Sequence, residues 1–124
     1  MSKTFFLLLV STFSLWAIEW MSYSDALELQ KKNGKIIMLD MVRSECHYCN
    51  EMELEVFENK EMIKWIDERF ITVKINLDKD RIPRGIKVTF TPSFFFVDKN
   101  GSIVKKIPGA WNIVDFKDLT RGIK

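Results

Sequence analysis

The chain holds two cysteines in 124 residues, and they stand three apart in Cys46-His47-Tyr48-Cys49. Just before them runs the apolar stretch Ile36-Ile37-Met38-Leu39-Asp40-Met41-Val42. A strand-like run that feeds a two-cysteine turn, which in turn opens a helix, is the layout of a redox dithiol. The reason is electrostatic. At a first helical turn, unpaired backbone N–H groups and the positive end of the macrodipole favour a thiolate at Cys46. Cys49, one turn further in, is expected to be shielded and to act as the resolving thiol. His47, the one histidine, adds positive charge beside Cys46 when protonated and pushes the pair toward an oxidant; Glu45 opposes it. Tyr48 completes the motif.

Other uses of the two cysteines fit less well. A bridge across so short a loop constrains the unfolded chain weakly, so stapling is a poor explanation. Haem attachment requires a histidine directly after the second cysteine, and Asn50 stands there. A structural metal site would need further ligands, and there is no second cysteine pair; no metal and no cofactor beyond the disulfide itself is expected.

The composition is that of one domain: 47% hydrophobic and 13% aromatic residues suffice for a single core. A net charge of +2, with lysines scattered among acids, gives no nucleic-acid surface, and a monomer is expected. Residues 1–18 differ from the rest. Lys3 precedes an acid-free apolar run that ends at Ala17-Ile18, which reads as a secretory signal peptide or an uncleaved anchor. Residues 19–124 are then the domain, in a periplasmic or otherwise exported setting. In such an oxidising compartment, two lone cysteines this close are an oxidised pair or a working dithiol.

The elements that must position the dithiol follow from periodicity and punctuation. Residues 22–33 read as a helix with a Ser or Asp cap and Gly34 past its end. Residues 36–42, apolar without alternation, read as a central strand covered on both faces. From Cys46 a helix places Cys49, Met52 and Val56 on one face, leaving Glu51, Glu53 and Glu55 for solvent. Asn59 is a new cap or a kink, followed by an apolar stripe at Ile63, Ile66 and Phe70. Residues 70–77 are the next strand, parallel to the first because a helix connects them. Asp78 to Thr91, with Pro83 and Gly85, should be a short helix or an irregular connection. Residues 93–98 and 103–107 flank Lys99-Asn100-Gly101 as a hairpin. A last helix, from Asn112 to Ile123, should bury Val114 or Phe116 together with Leu119.

Helix, strand, Cys-x-x-Cys helix, strand, proline-ended loop, hairpin and helix, in that order, resemble the thioredoxin family over residues 20–123. The landmarks are Met38-Leu39-Asp40 with Cys46 six residues later, Val73 to Asp78, Thr91-Pro92 and Pro108-Gly109-Ala110. With Met52-Glu53, Val56-Phe57 and Phe70 added, the chain looks most similar to the exported branch that includes the C-terminal domain of the membrane thiol:disulfide interchange reductase. The resemblance implies an α/β thioredoxin fold, with a central mixed sheet of about four strands flanked by helices. It implies Cys46 as nucleophile, Cys49 as resolving cysteine and Asp40 as the buried acceptor of the Cys49 proton, with Lys74 on the adjacent strand as the partner of Asp40. It also implies a cis Thr91-Pro92 bond facing the dithiol, with Thr91, Gly109 and Ala110 forming the client surface; Trp111 either extends that surface or belongs to the core. His-Tyr between the cysteines and Glu45 before them depart from cytoplasmic thioredoxins, so the redox potential does not carry over.

The reading is an exported protein-disulfide reductase. Its expected partners are exported proteins bearing disulfides, cytochrome c apoproteins among them, and a membrane electron donor. A disulfide oxidase or isomerase would use the same residues at a higher potential. A non-catalytic module that binds a metal or a client peptide is the alternative of another class.

Overall fold

The computed structural model describes residues 17–124. The signal expected over residues 1–18 lies outside them, apart from its last two residues. Helix α1 (Tyr23–Asn33) starts where Ser22 Oγ accepts the Asp25 N–H at 3.1 Å and stops at Gly34, whose φ of +69° continues no helix. Strand β1 (Ile36–Val42) follows, then α2 (His47–Met52), a π-helical turn (Glu53–Phe57) and α3 (Lys60–Arg69). Strands β2 (Phe70–Asn76), β3 (Ser93–Val97) and β4 (Ile103–Pro108) and helix α4 (Ile113–Thr120) complete the order.

The sheet runs β2-β1-β3-β4. β1 is parallel to β2, as the helical crossover between them requires, and antiparallel to β3, which pairs with β4 as a hairpin. The turn is held by Asp98, whose Oδ1 accepts the Asn100 and Ser102 N–H groups, and by Gly101 at φ +78°. Residues 77–92 contain turns and irregular backbone but no helix. A mixed four-stranded sheet flanked by helices is the architecture the sequence implied.

Side-chain alternation divides the core into two layers. Ile36, Met38, Phe70, Phe94 and Phe96 face α2, the π-turn, α3 and α4, while Ile37, Leu39, Met41, Val73 and Phe95 face α1. Phe116 is the α4 residue buried in the first layer; Val114 is exposed. Phe94 contacts Phe57 and Phe116 edge-on, with centroids 5.9 Å and 5.1 Å away. Phe94→Ala should therefore cost about 3–5 kcal/mol of stability, read as a lower urea midpoint with an unchanged slope.

Two features depart from expectation. The helix after the cysteines is not regular: the Glu58 N–H reaches back five residues to the Glu53 carbonyl at 3.0 Å, and the widened turn buries the consecutive Val56 and Phe57. Residues 19–21 also dock on the domain. Met21 bridges Val73 in parallel, and Thr72 Oγ1 donates to the Glu19 carbonyl at 3.0 Å.

Candidate active site

Strand β1 ends at Val42, and the chain must turn sharply to begin α2. Asp78, just past β2, secures that turn: Oδ2 accepts the Ser44 N–H at 2.9 Å and Oδ1 meets Arg43 Nη1 at 3.2 Å. The Ser44 bond, helped by Arg43 and opposed by desolvation, holds the Asp78 carboxyl below its ordinary range. Cys46 emerges at the N-cap of α2, with extended backbone, and its Sγ accepts the Cys49 N–H at 3.1 Å. Cys46 and Cys49 form a disulfide, with Cα atoms 5.2 Å apart. In this oxidised form they are 9% and 8% exposed, so the expected contrast between an open and a shielded residue is slight.

The rest of the motif faces solvent. Glu45, His47 and Tyr48 are exposed. His47 Nε2 lies 3.1 Å from Glu51 Oε1, one helical turn on, and its ring meets the Tyr48 ring edge-on at 5.4 Å. Protonated His47 is thus countered by a carboxylate.

Across the disulfide, the Thr91 hydroxyl donates to Cys46 Sγ at 3.4 Å, and the Thr91-Pro92 bond is cis. The Gly109 N–H donates to the Pro92 carbonyl at 2.8 Å, with Gly109 at φ +90°, a conformation open to glycine at little cost. This bond joins the Thr91-Pro92 loop to Ala110 and Trp111. The Trp111 N–H reaches Met52 Sδ at 3.1 Å, and its indole Nε1 donates to the Pro108 carbonyl at 2.9 Å, leaving the ring at the surface. Thr91 thus touches Cys46, Pro92 is tied to Gly109, and Trp111 is tied to Met52 of α2. Phe90, directly before Thr91 in the chain and singled out by no sequence pattern, is exposed.

Asp40, on β1 two residues before its end at Val42, is 1% exposed, with no hydrogen-bond partner for Oδ1 among the described residues. Burial pushes its carboxyl up from 3.8 to about 7; the nearby Lys74 charge lowers it and that of Glu53 raises it, both by less. The expected Asp40–Lys74 pair needs correction. The two residues are register partners on β1 and β2, yet Lys74 Nζ bonds Glu53 Oε2 at 2.6 Å. Lys74 acts on Asp40 as a neighbouring charge without bonding it. Nor is Glu53 left to solvent alone, since its side chain, 37% exposed, is bonded to Lys74. It follows Cys49 by four residues, so helical geometry already puts it beside that cysteine, on the margin of the buried stripe. The site thus holds a redox disulfide, a buried acid that can take a proton near neutral pH, and an adjacent Lys–Glu pair.

Comparison with known proteins agrees with this geometry. The sequence pattern of the thioredoxin-like domain family matches residues 23–123. Spermatogenesis-associated protein 20 of Homo sapiens is 33% identical over 75 residues, and that of Mus musculus 35% over 75; each match covers 60% of this chain and 9% of the relative. The chain thus spans under a tenth of the length of these curated relatives. Among solved structures, DsbH oxidoreductase superposes with a TM-score of 0.69 at 22% identity, covering 91% of this chain and 90% of that one. A thioredoxin from Thermus thermophilus gives 0.70 at 26% identity, covering 85% and 86%. The oxidised C-terminal domain of Neisseria meningitidis DsbD gives 0.62 at 20%, covering 86% and 100%. With its Cys46–Cys49 disulfide at the head of α2, the chain belongs to the thioredoxin-like domain family.

Proposed function

We propose that the protein is an exported reductase of protein disulfides. The Cys46 thiolate attacks one sulfur of a client disulfide, forms a mixed disulfide and releases the other client sulfur as thiolate. Cys49 then gives its proton to Asp40 and attacks Cys46 Sγ. The client leaves with two electrons more, and the Cys46–Cys49 disulfide is regenerated. An extended client segment lies along Thr91-Pro92, with Gly109, Ala110 and Trp111 beside it and Tyr48 and Phe90 offering exposed rings. A dithiol donor restores the pair; in an exported setting that donor is a membrane protein. Export itself rests on the character of residues 1–18, and cytochrome c apoproteins are among the clients proposed.

The observation that carries the direction of electron flow is the charge around Cys46. Residues 44–59 hold five glutamates and no lysine or arginine; Lys74 from β2 offsets Glu53 at 2.6 Å and Glu51 lies 3.1 Å from His47, so that a protonated His47 is matched and the stretch stays net negative. A negative surrounding destabilises the thiolate relative to the neutral disulfide, and a dithiol whose reduced form is poorly stabilised is a good reductant. Equilibration with glutathione measures this directly. The potential should fall near that of thioredoxin, about −270 mV, and a value near about −120 mV would make the protein an oxidase or isomerase instead.

A further inference from the structure

We propose that Trp20 is a positioning residue for the dithiol chemistry: its indole face holds the Lys74 ammonium on Glu53 and away from Asp40, and thereby preserves Asp40 as a base. Trp20 lies upstream of the matched residues 23–123, on the segment that docks against β2. Lys74 Nζ sits 4.3 Å from the Trp20 ring centroid, a cation–π distance, while bonding Glu53 Oε2 at 2.6 Å. Trp20 is itself fixed edge-on against the buried Phe57, with centroids 5.4 Å apart. The ammonium is thus caught between a carboxylate on the π-turn and an aromatic face anchored in the core.

That capture has an alternative. Asp40 and Lys74 are register partners in a parallel pair, so their side chains leave the same face of the sheet. A lysine without the ring contact has a buried, unpartnered carboxylate within reach on the neighbouring strand. The charges that bear on Asp40 are Lys74 from β2 and Glu53 from the π-turn, and its β3 register partner Phe94 carries none. Moving the ammonium from Glu53 to Asp40 would stabilise the Asp40 carboxylate and weaken it as an acceptor for the Cys49 proton. The catalytic consequence rests on the role proposed for Asp40; the electrostatic claim does not.

The experiment is a ¹³C NMR titration of the side-chain carboxyls in the full, oxidised chain, with the Asp40 signal assigned by its loss in Asp40→Asn. Wild type should titrate near 7. Trp20→Leu should titrate lower by roughly one pH unit or more, since an opposite charge at contact shifts a carboxyl by about 1–3. Trp20→Phe, which keeps an aromatic face, should stay close to wild type. In a Lys74→Met background, Trp20→Leu should have no further effect. An unmoved midpoint in Trp20→Leu, or a shift that persists without Lys74, overturns the proposal. Should Trp20→Leu not fold, Trp20→Met provides the same comparison. Because no client or donor is present, the result is independent of whether the protein proves to be a reductase.

Discussion

Cys46→Ser is expected to abolish disulfide exchange, lowering insulin reduction by roughly a thousandfold or more, because Cys46 at the N-cap of α2 is the sulfur that forms the first covalent bond. Cys49→Ser should differ in kind. Cys46 at the N-cap of α2, with the Thr91 hydroxyl 3.4 Å from its sulfur, still attacks the client, but nothing resolves the product. A client should therefore accumulate as a mixed disulfide on Cys46, visible as a mass increase that dithiothreitol removes. Wild-type activity in Cys46→Ser, or a trapped client in Cys46→Ser in place of Cys49→Ser, would reverse the assignment of the two sulfurs. The distinction matters because their exposures in the oxidised form are nearly equal, 9% and 8%. Accessibility does not separate them; position on the helix does. Cys46 sits where the first backbone N–H groups are unpaired, and its sulfur already accepts one of them, from Cys49, at 3.1 Å.

Features of the site governed by local rules were legible in the sequence. The Cys-x-x-Cys spacing and the stop at Gly34 each depend on neighbours a few residues away, and so does the Asn100-Gly101 turn. A Ser or Asp cap before α1 and a cap or kink at Asn59 were readable as alternatives, which the structure decides for Ser22 and for a cap. The parallel β1–β2 pair was also readable, since a helical crossover leaves few alternatives, and with it the adjacency of Asp40 and Lys74. What could not be read was the competition for Lys74. Glu53 reaches it from a different element, and Trp20 from a segment with no pattern of its own. Glu53 was nonetheless within reach of helical arithmetic. At four residues from Cys49 it shares that residue's face, whereas Glu51 and Glu55 turn outward. The π-turn left no trace in residue types, because its cause is the burial of Val56 and Phe57 together against the sheet.

Asp40→Asn should make the protein more stable and slower at once. The Asp40 carboxyl rises from 3.8 to about 7 on folding, chiefly through burial, so the folded state keeps a proton there that the unfolded chain has lost. The stabilisation from that proton is fully present below about pH 4, falls as pH rises and is gone above about pH 7, a loss of about 4 kcal/mol. Asparagine has nearly the same shape and never ionises. The oxidised wild type and Asp40→Asn should therefore have similar stability at pH 4, while at pH 8 the variant should be the more stable by up to about 4 kcal/mol in urea unfolding. Its chemistry should move the other way. Attack by Cys46 needs no base at Asp40, so the mixed disulfide should form at the wild-type rate, whereas its resolution, which needs the Cys49 proton removed, should slow by about a hundredfold. Equal slowing of both steps would rule out Asp40 as the proton acceptor. A variant whose gain in stability grows from about pH 4 to about pH 7 and that loses rate only in the second step cannot be explained by misfolding, because a damaged core would lower stability at every pH.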